Sequence, residues 1–129
     1  MRCADVMTPD VAFVRTTDDV ATANRTMKSR RVGFLPVCDD AGLVVGFVTD
    51  QHITRVVVTE DVGPSTPVEL VMGRDVSMCS PEDDVSIAES AIASHPGRCA
   101  VCVGPQGELV GVVGATDLAR REGHRFERR

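Results

Sequence analysis

The chain has 129 residues, with 14 basic against 19 acidic side chains and a net charge of −5; 43% of residues are hydrophobic and 26% charged. That is the composition of an ordinary globular protein, which at this size buries roughly two thirds of its unfolded surface and needs no disulfide or metal to fold. No apolar run approaches the roughly 18–20 residues of a membrane span, and without Trp or Tyr an aromatic platform for single-stranded nucleic acid is excluded.

Met1-Arg2-Cys3-Ala4-Asp5 lacks the apolar stretch of a signal peptide, which predicts a cytoplasmic protein. Five Cys, an odd number, fit reduced thiols better than a disulfide framework. In chain order the pattern predicts a short strand over 12–14 and a helix opened by Thr16 with Asp19 three residues later, carrying Val20, Ala23 and Met27 on one face. Two β-rich runs follow, 34–38 and 44–48, joined by the turn Asp39-Asp40-Ala41-Gly42. Pro36 inside the first marks a strand edge or bulge. A last helix starts near Asp50.

The same order then recurs. A strand over 78–79 precedes a helix signalled by Ser80-Pro81-Glu82-Asp83, with Val85, Ala88, Ala91 and Ile92 on one face. Runs over 99–103 and 109–113 follow, then a helix near Thr116. A shift of 65 positions aligns residues 6–55 with 71–120, and 14 of the 50 pairs are identical. They include Val6/Val71, Met7/Met72, Asp18/Asp83, Asp19/Asp84, Gly46/Gly111 and Val48/Val113. Chance gives roughly one match in fourteen, so the chain is two copies of one unit. The expected division is repeat 1 over 1–58, a linker over 59–68 containing Gly63-Pro64-Ser65-Thr66-Pro67, repeat 2 over 69–121 and a basic tail over 122–129. The fold class is α+β, tandem βαββα repeats packed sheet to sheet in pseudo-twofold relation, since one copy alone leaves its apolar sheet face uncovered.

These residues resemble the cystathionine-β-synthase (CBS) domain pair, or Bateman module. The resemblance rests on Asp5-Val6-Met7-Thr8-Pro9, Val32-Gly33-Phe34-Leu35-Pro36-Val37 and Gly46-Phe47-Val48-Thr49-Asp50-Gln51-His52-Ile53. In copy two it rests on Val71-Met72 and Gly111-Val112-Val113-Gly114-Ala115-Thr116-Asp117-Leu118. It implies a stand-alone regulatory module that binds an adenosyl ligand (AMP, ADP, ATP or S-adenosylmethionine) between the repeats, signals to a partner protein and forms a homodimer. It implies no obligatory cofactor, no metal and no catalysis of its own.

In the family, Thr or Ser three residues before an Asp opens the last helix, and the Asp accepts from both ribose hydroxyls; a carboxylate suits a vicinal diol because it offers two acceptor oxygens. Here each copy keeps half of that signature. Copy two has Asp117 but Gly114 in place of the hydroxyl; copy one has Thr49 but His52 in place of the acid. The better site is therefore expected at Asp117 and Gly114, walled by Thr8, Val11, Ala12, Val32 and Gly33, with Arg31 or the tail Arg120 and Arg121 toward phosphates. The weaker site is expected at Thr49, His52, Gly73, Val76, Gly97 and Arg98. Two other functions stay open: a ligand-free dimerisation scaffold, and a redox or metal sensor using Cys99 and Cys102. No Gly-x-Ser-x-Gly elbow, Walker loop or His-Glu-x-x-His is present, so an enzyme is not expected.

Overall fold

The computed structural model describes residues 1–94, 99–115 and 117–118. The chain divides into two compact units: Ala12–Val76, and Met1–Val11 together with the residues from Ser77 onward.

The unit Ala12–Val76 is built around a βαββα core. β2 (Val14–Arg15) leads into α2 (Val20–Arg30), then β3 (Phe34–Cys38), β4 (Val44–Thr49) and α3 (Asp50–Thr59). The sheet order is β2-β3-β4, parallel then antiparallel. The apolar stripe of α2 behaves as its spacing demands: Val20, Ala23 and Met27 are buried with Leu35, Val37, Val48, Ile53 and Val56. In the run Val56-Val57-Val58, which the sequence offers as an apolar outer helix face for self-association, Val56 is instead a core residue, and only Val57 and Val58 are exposed. Pro36 fits its expected edge-or-bulge position: it pairs with Phe47 on one side, while on the other β2 reaches only Val37 and Cys38, leaving no ladder partner that would need its missing N–H, and the register shifts just beyond it, between Val37 and Cys38.

The other unit repeats the pattern with β5 (Met78–Cys79), α4 (Val85–Ala93), β6 (Cys99–Val103) and β7 (Leu109–Gly114), and a helix begins at Ala115. Its sheet order is β1-β7-β6-β5, where β1 is the short strand Thr8–Pro9. The core holds smaller side chains: Cys3, Cys79, Ala88, Ile92, Ala100, Cys102 and Val113. Tandem α+β repeats are therefore the fold.

Both helices start later than the caps read from sequence. Asp19 and Asp84 are the N-caps, accepting from the N–H of Thr22 and Ser86. The preceding Asp18 and Asp83 close turns instead, accepting from the N–H of Arg15 and Ser80 at 2.8 and 2.9 Å. Thr16 and Ser80 are turn residues because the adjacent aspartates are the stronger acceptors. The first strand is likewise two residues, Val14–Arg15, rather than 12–14.

The leading arm of each sequence repeat sits in the unit of the other. α1 (Cys3–Val6) and β1 (Thr8–Pro9) dock on the second sheet, where β1 pairs antiparallel with β7 through Thr8↔Val112 and Pro9↔Gly111. The matching segment, a 3₁₀ turn at Val68–Leu70 followed by Met72-Gly73, docks on the first sheet through the Phe47↔Gly73 bridge. Cys3 and Val68, 65 positions apart, are both fully buried. Val68, read as the end of the linker, is a core residue. No helix among the described residues is long and apolar enough to cross a membrane.

Candidate functional site

The helix that begins after β7 carries the first candidate site. Asp117 Oδ2 accepts from the Gly114 N–H at 2.8 Å, which is half of a capping box. The other half is missing because Gly114 has no hydroxyl. A Cβ at Gly114 would lie 3.6 Å from Asp117 Oδ2 and 3.7 Å from Cys99 Sγ, ordinary contact distances. Cys99 faces Gly114 across the β6–β7 ladder. Burial and then the Asp117 charge push its thiol up to about 11, so it is a protonated neighbour at neutral pH. Register counting through the Gly104–Gly107 turn would have placed Cys99 here; the sequence reading missed it.

Thr8 and Val11 lie in the same unit as Asp117 and Gly114. Thr8 is exposed on β1, opposite Val112. Ala12, Arg31, Val32 and Gly33 belong to the other unit. Ala12 packs against that unit's core, while Arg31, Val32 and Gly33 are exposed between α2 and β3. Arg31 is the C-cap of α2 at φ 56°, its N–H donating to the carbonyls of Lys28 and Met27; this left-handed position usually favours Gly. The Gly33 carbonyl accepts from the Asp50 N–H at 3.1 Å, and the Asp50 carboxylate stands 3.3 Å from where a Gly33 Cβ would be. Asp50 is a further acid beside these residues that motif reading did not select. Arg120 and Arg121 lie outside the described residues.

The corresponding helix of the first unit carries the complementary half-box. Thr49 Oγ1 accepts from the His52 N–H at 3.1 Å. The His52 ring is fully occupied within its own unit. Nε2 lies 2.6 Å from the Val71 carbonyl and Nδ1 2.9 Å from an Arg55 guanidinium nitrogen. A carbonyl only accepts and a guanidinium only donates, so this pattern sets the neutral Nε2–H tautomer. Gly73 is covered by the Phe47 ring, whose carbons would stand 2.6 Å from an added Cβ, and Phe47 stacks on Phe34 with centroids 5.6 Å apart. Val76 is half-buried. Gly97 and Arg98 lie outside the described residues.

A groove of 380 Å³ runs between α2 and α3, lined by Asn24, Arg25, Lys28, Ile53 and Val57 among others. None of the candidate site residues lines it. Among the described residues no three His, Cys, Asp or Glu side chains are grouped so as to hold a metal ion.

The family model of the CBS domain matches twice, over residues 3–59 and 65–123. The chain belongs to the CBS domain family. This CBS pair is 29% identical over 117 residues to a homoserine O-acetyltransferase of Methanococcoides burtonii; the match takes in 91% of this chain and 23% of that protein, so the chain spans about a quarter of that relative's length. Among solved structures, the CBS domain pair of protein MJ0100, in complex with 5′-methylthioadenosine and S-adenosyl-L-methionine, superposes at a TM-score of 0.87 with 18% identity, covering 97% of this chain and 98% of that one. CBSX2 from Arabidopsis thaliana, in complex with AMP, does so at 0.82 with 20% identity, covering 95% and 96%. Both share the fold of this CBS pair.

Proposed function

We propose that this CBS pair is a regulatory sensor of an adenosyl ligand, an adenine nucleotide or S-adenosylmethionine. The carrying observation is the Asp117 carboxylate, held at the start of the last helix by the Gly114 N–H, where a vicinal ribose diol finds a preset acceptor. That MJ0100 and CBSX2 hold S-adenosyl-L-methionine, 5′-methylthioadenosine and AMP supports the same ligand class. Thr8 and Val11, in the same unit as Asp117, belong to the proposed site. Ligand would act by population shift, to the extent of its differential affinity for two states, and a partner protein would read the change. The module itself catalyses nothing in this reading. Free thiols suit a reducing cytoplasm, and exposed Val57, Val58 and Ile87 suit a homodimer with an isologous interface.

A ligand-free scaffold is the second reading, favoured by the engagement of His52 with Val71 and Arg55. Thermal denaturation with AMP, ADP, ATP and S-adenosylmethionine, on wild type and Asp117→Ala, separates the two. Ligand at 100 times its Kd adds about 2.7 kcal/mol. A rise with one of them that vanishes in Asp117→Ala is expected; no rise with any, from protein stripped of carried-over nucleotide, favours the scaffold.

A further inference from the structure

The unit containing Cys3, Cys79 and Cys102 encloses a thiol cluster that the proposed function does not use. Cys79 on β5 and Cys102 on β6 are register partners in a parallel ladder. Neighbouring strands stand about 4.8 Å apart, inside the Cα window that a disulfide requires. The two sulfurs already lie 3.3 Å apart, and both side chains are buried. Cys3 reaches Cys79 from the docked arm by a second thiol contact, while its own sulfur lies 3.8 Å from the Asp84 carbonyl. Cys99, three residues before Cys102, is half-buried beside Gly114, and so cannot partner Cys102 on the same strand. Cys38 belongs to the other unit.

We propose that Cys79 and Cys102 are a disulfide-forming pair, oxidised by a small two-electron oxidant of the peroxide class. One thiol sulfur attacks the peroxide O–O bond, which breaks; the sulfur becomes a sulfenic acid and one water leaves. The second thiol sulfur then attacks the first, the S–S bond forms as the S–O bond breaks, and a second water leaves. Two thiols are oxidised, one peroxide is reduced, and two waters carry off the four hydrogens. The bond staples β5 to β6 and closes the segment that carries α4. Its mutual hydrogen bond and burial hold the Cys79 thiol protonated well above the ordinary range, so oxidation is slow at neutral pH and speeds up as pH rises. The pair is therefore a response to sustained oxidant, not a fast sensor.

The test uses the full chain carrying Cys99→Ser, which removes the competing half-buried thiol. After reduction, removal of reductant and prolonged hydrogen peroxide, the intact mass should fall by two hydrogens, and dithiothreitol should restore it. Trypsin should then release the peptides 75–98 and 99–120 joined. The joined peptide should vanish in Cys79→Ala and, separately, in Cys102→Ala, each checked for fold by circular dichroism. Gain of oxygen without a crosslink, a linkage through Cys3 or Cys38 instead, or full recovery of free thiols on denaturation would overturn the proposal.

Discussion

Asp117 and His52 occupy the same place in the two repeats and have opposite fates. Asp117 offers its carboxylate to a backbone N–H of its own turn, while His52 turns away to Val71 and Arg55. Replacing His52 by Asp leaves the Val71 carbonyl without its donor, and unfolding free energy should drop by about 1–3 kcal/mol in a urea titration. Gly114→Ser should be accepted, because its Cβ meets only ordinary contacts. It completes the capping box and should raise stability by a few tenths of a kcal/mol in the same titration. The glycines opposite the arms behave differently. A Cβ at Gly46 would stand 2.5 Å from Met72 Sδ and 2.7 Å from the Gly73 carbonyl; at Gly111, 2.8 Å from the Thr8 carbonyl and 2.9 Å from Met7 Sδ. Gly46→Ala and Gly111→Ala should each destabilise by roughly 1–3 kcal/mol. Gly63→Ala, with open space around it, should leave the urea midpoint near wild type.

At the scale of elements, the sequence carried most of the architecture. The 3.6-residue apolar spacing located both α2 and α4, and the paired β-runs located β3, β4, β6 and β7 nearly to the residue. It failed at the helix starts, where Thr16 and Ser80 were expected to cap but Asp19 and Asp84 further along do so, because the backbone path through the intervening turn decides which acceptor meets the first free N–H groups. The two half-signatures, Asp117 with Gly114 and Thr49 with His52, were legible as motifs, but the placing of Cys99 beside Gly114 and of Asp50 beside Gly33 comes from pairing geometry that no single stretch of chain displays. The caps give a pH prediction. Asp19 and Asp84 are held below the ordinary carboxylate value of 3.8 first by the side-chain hydroxyls of Thr22 and Ser86 and then by the N–H groups of the same residues. A depressed acid stabilises the fold above its unfolded value, and that stabilisation is lost as pH falls through the folded value. Urea midpoints of wild type and an Asp19→Ala, Asp84→Ala double variant should therefore differ at pH 7 and converge at acid pH.

At the scale of the whole molecule, the thiols set the alkaline limit. Burial pushes Cys3 up to about 12, with the neighbouring Cys79 adding to it, and burial raises Cys38 as well. Thiols raised above their ordinary 9.0 stabilise the fold below that value, and the contribution drains away as pH rises through the folded values. Chemical denaturation from pH 8 to pH 11 should show a falling midpoint, with a shallower fall in Cys38→Ala. The exchanged arms have a consequence of a different kind. A single copy of the repeat, cut free, has a last strand with its docking edge bare and an arm with nowhere of its own to lie. Such a chain could complete itself only by trading arms with a twin, as swapped dimers do. Joining the two copies in one chain makes that trade intramolecular, so that a concentration-dependent assembly becomes a property of one polypeptide.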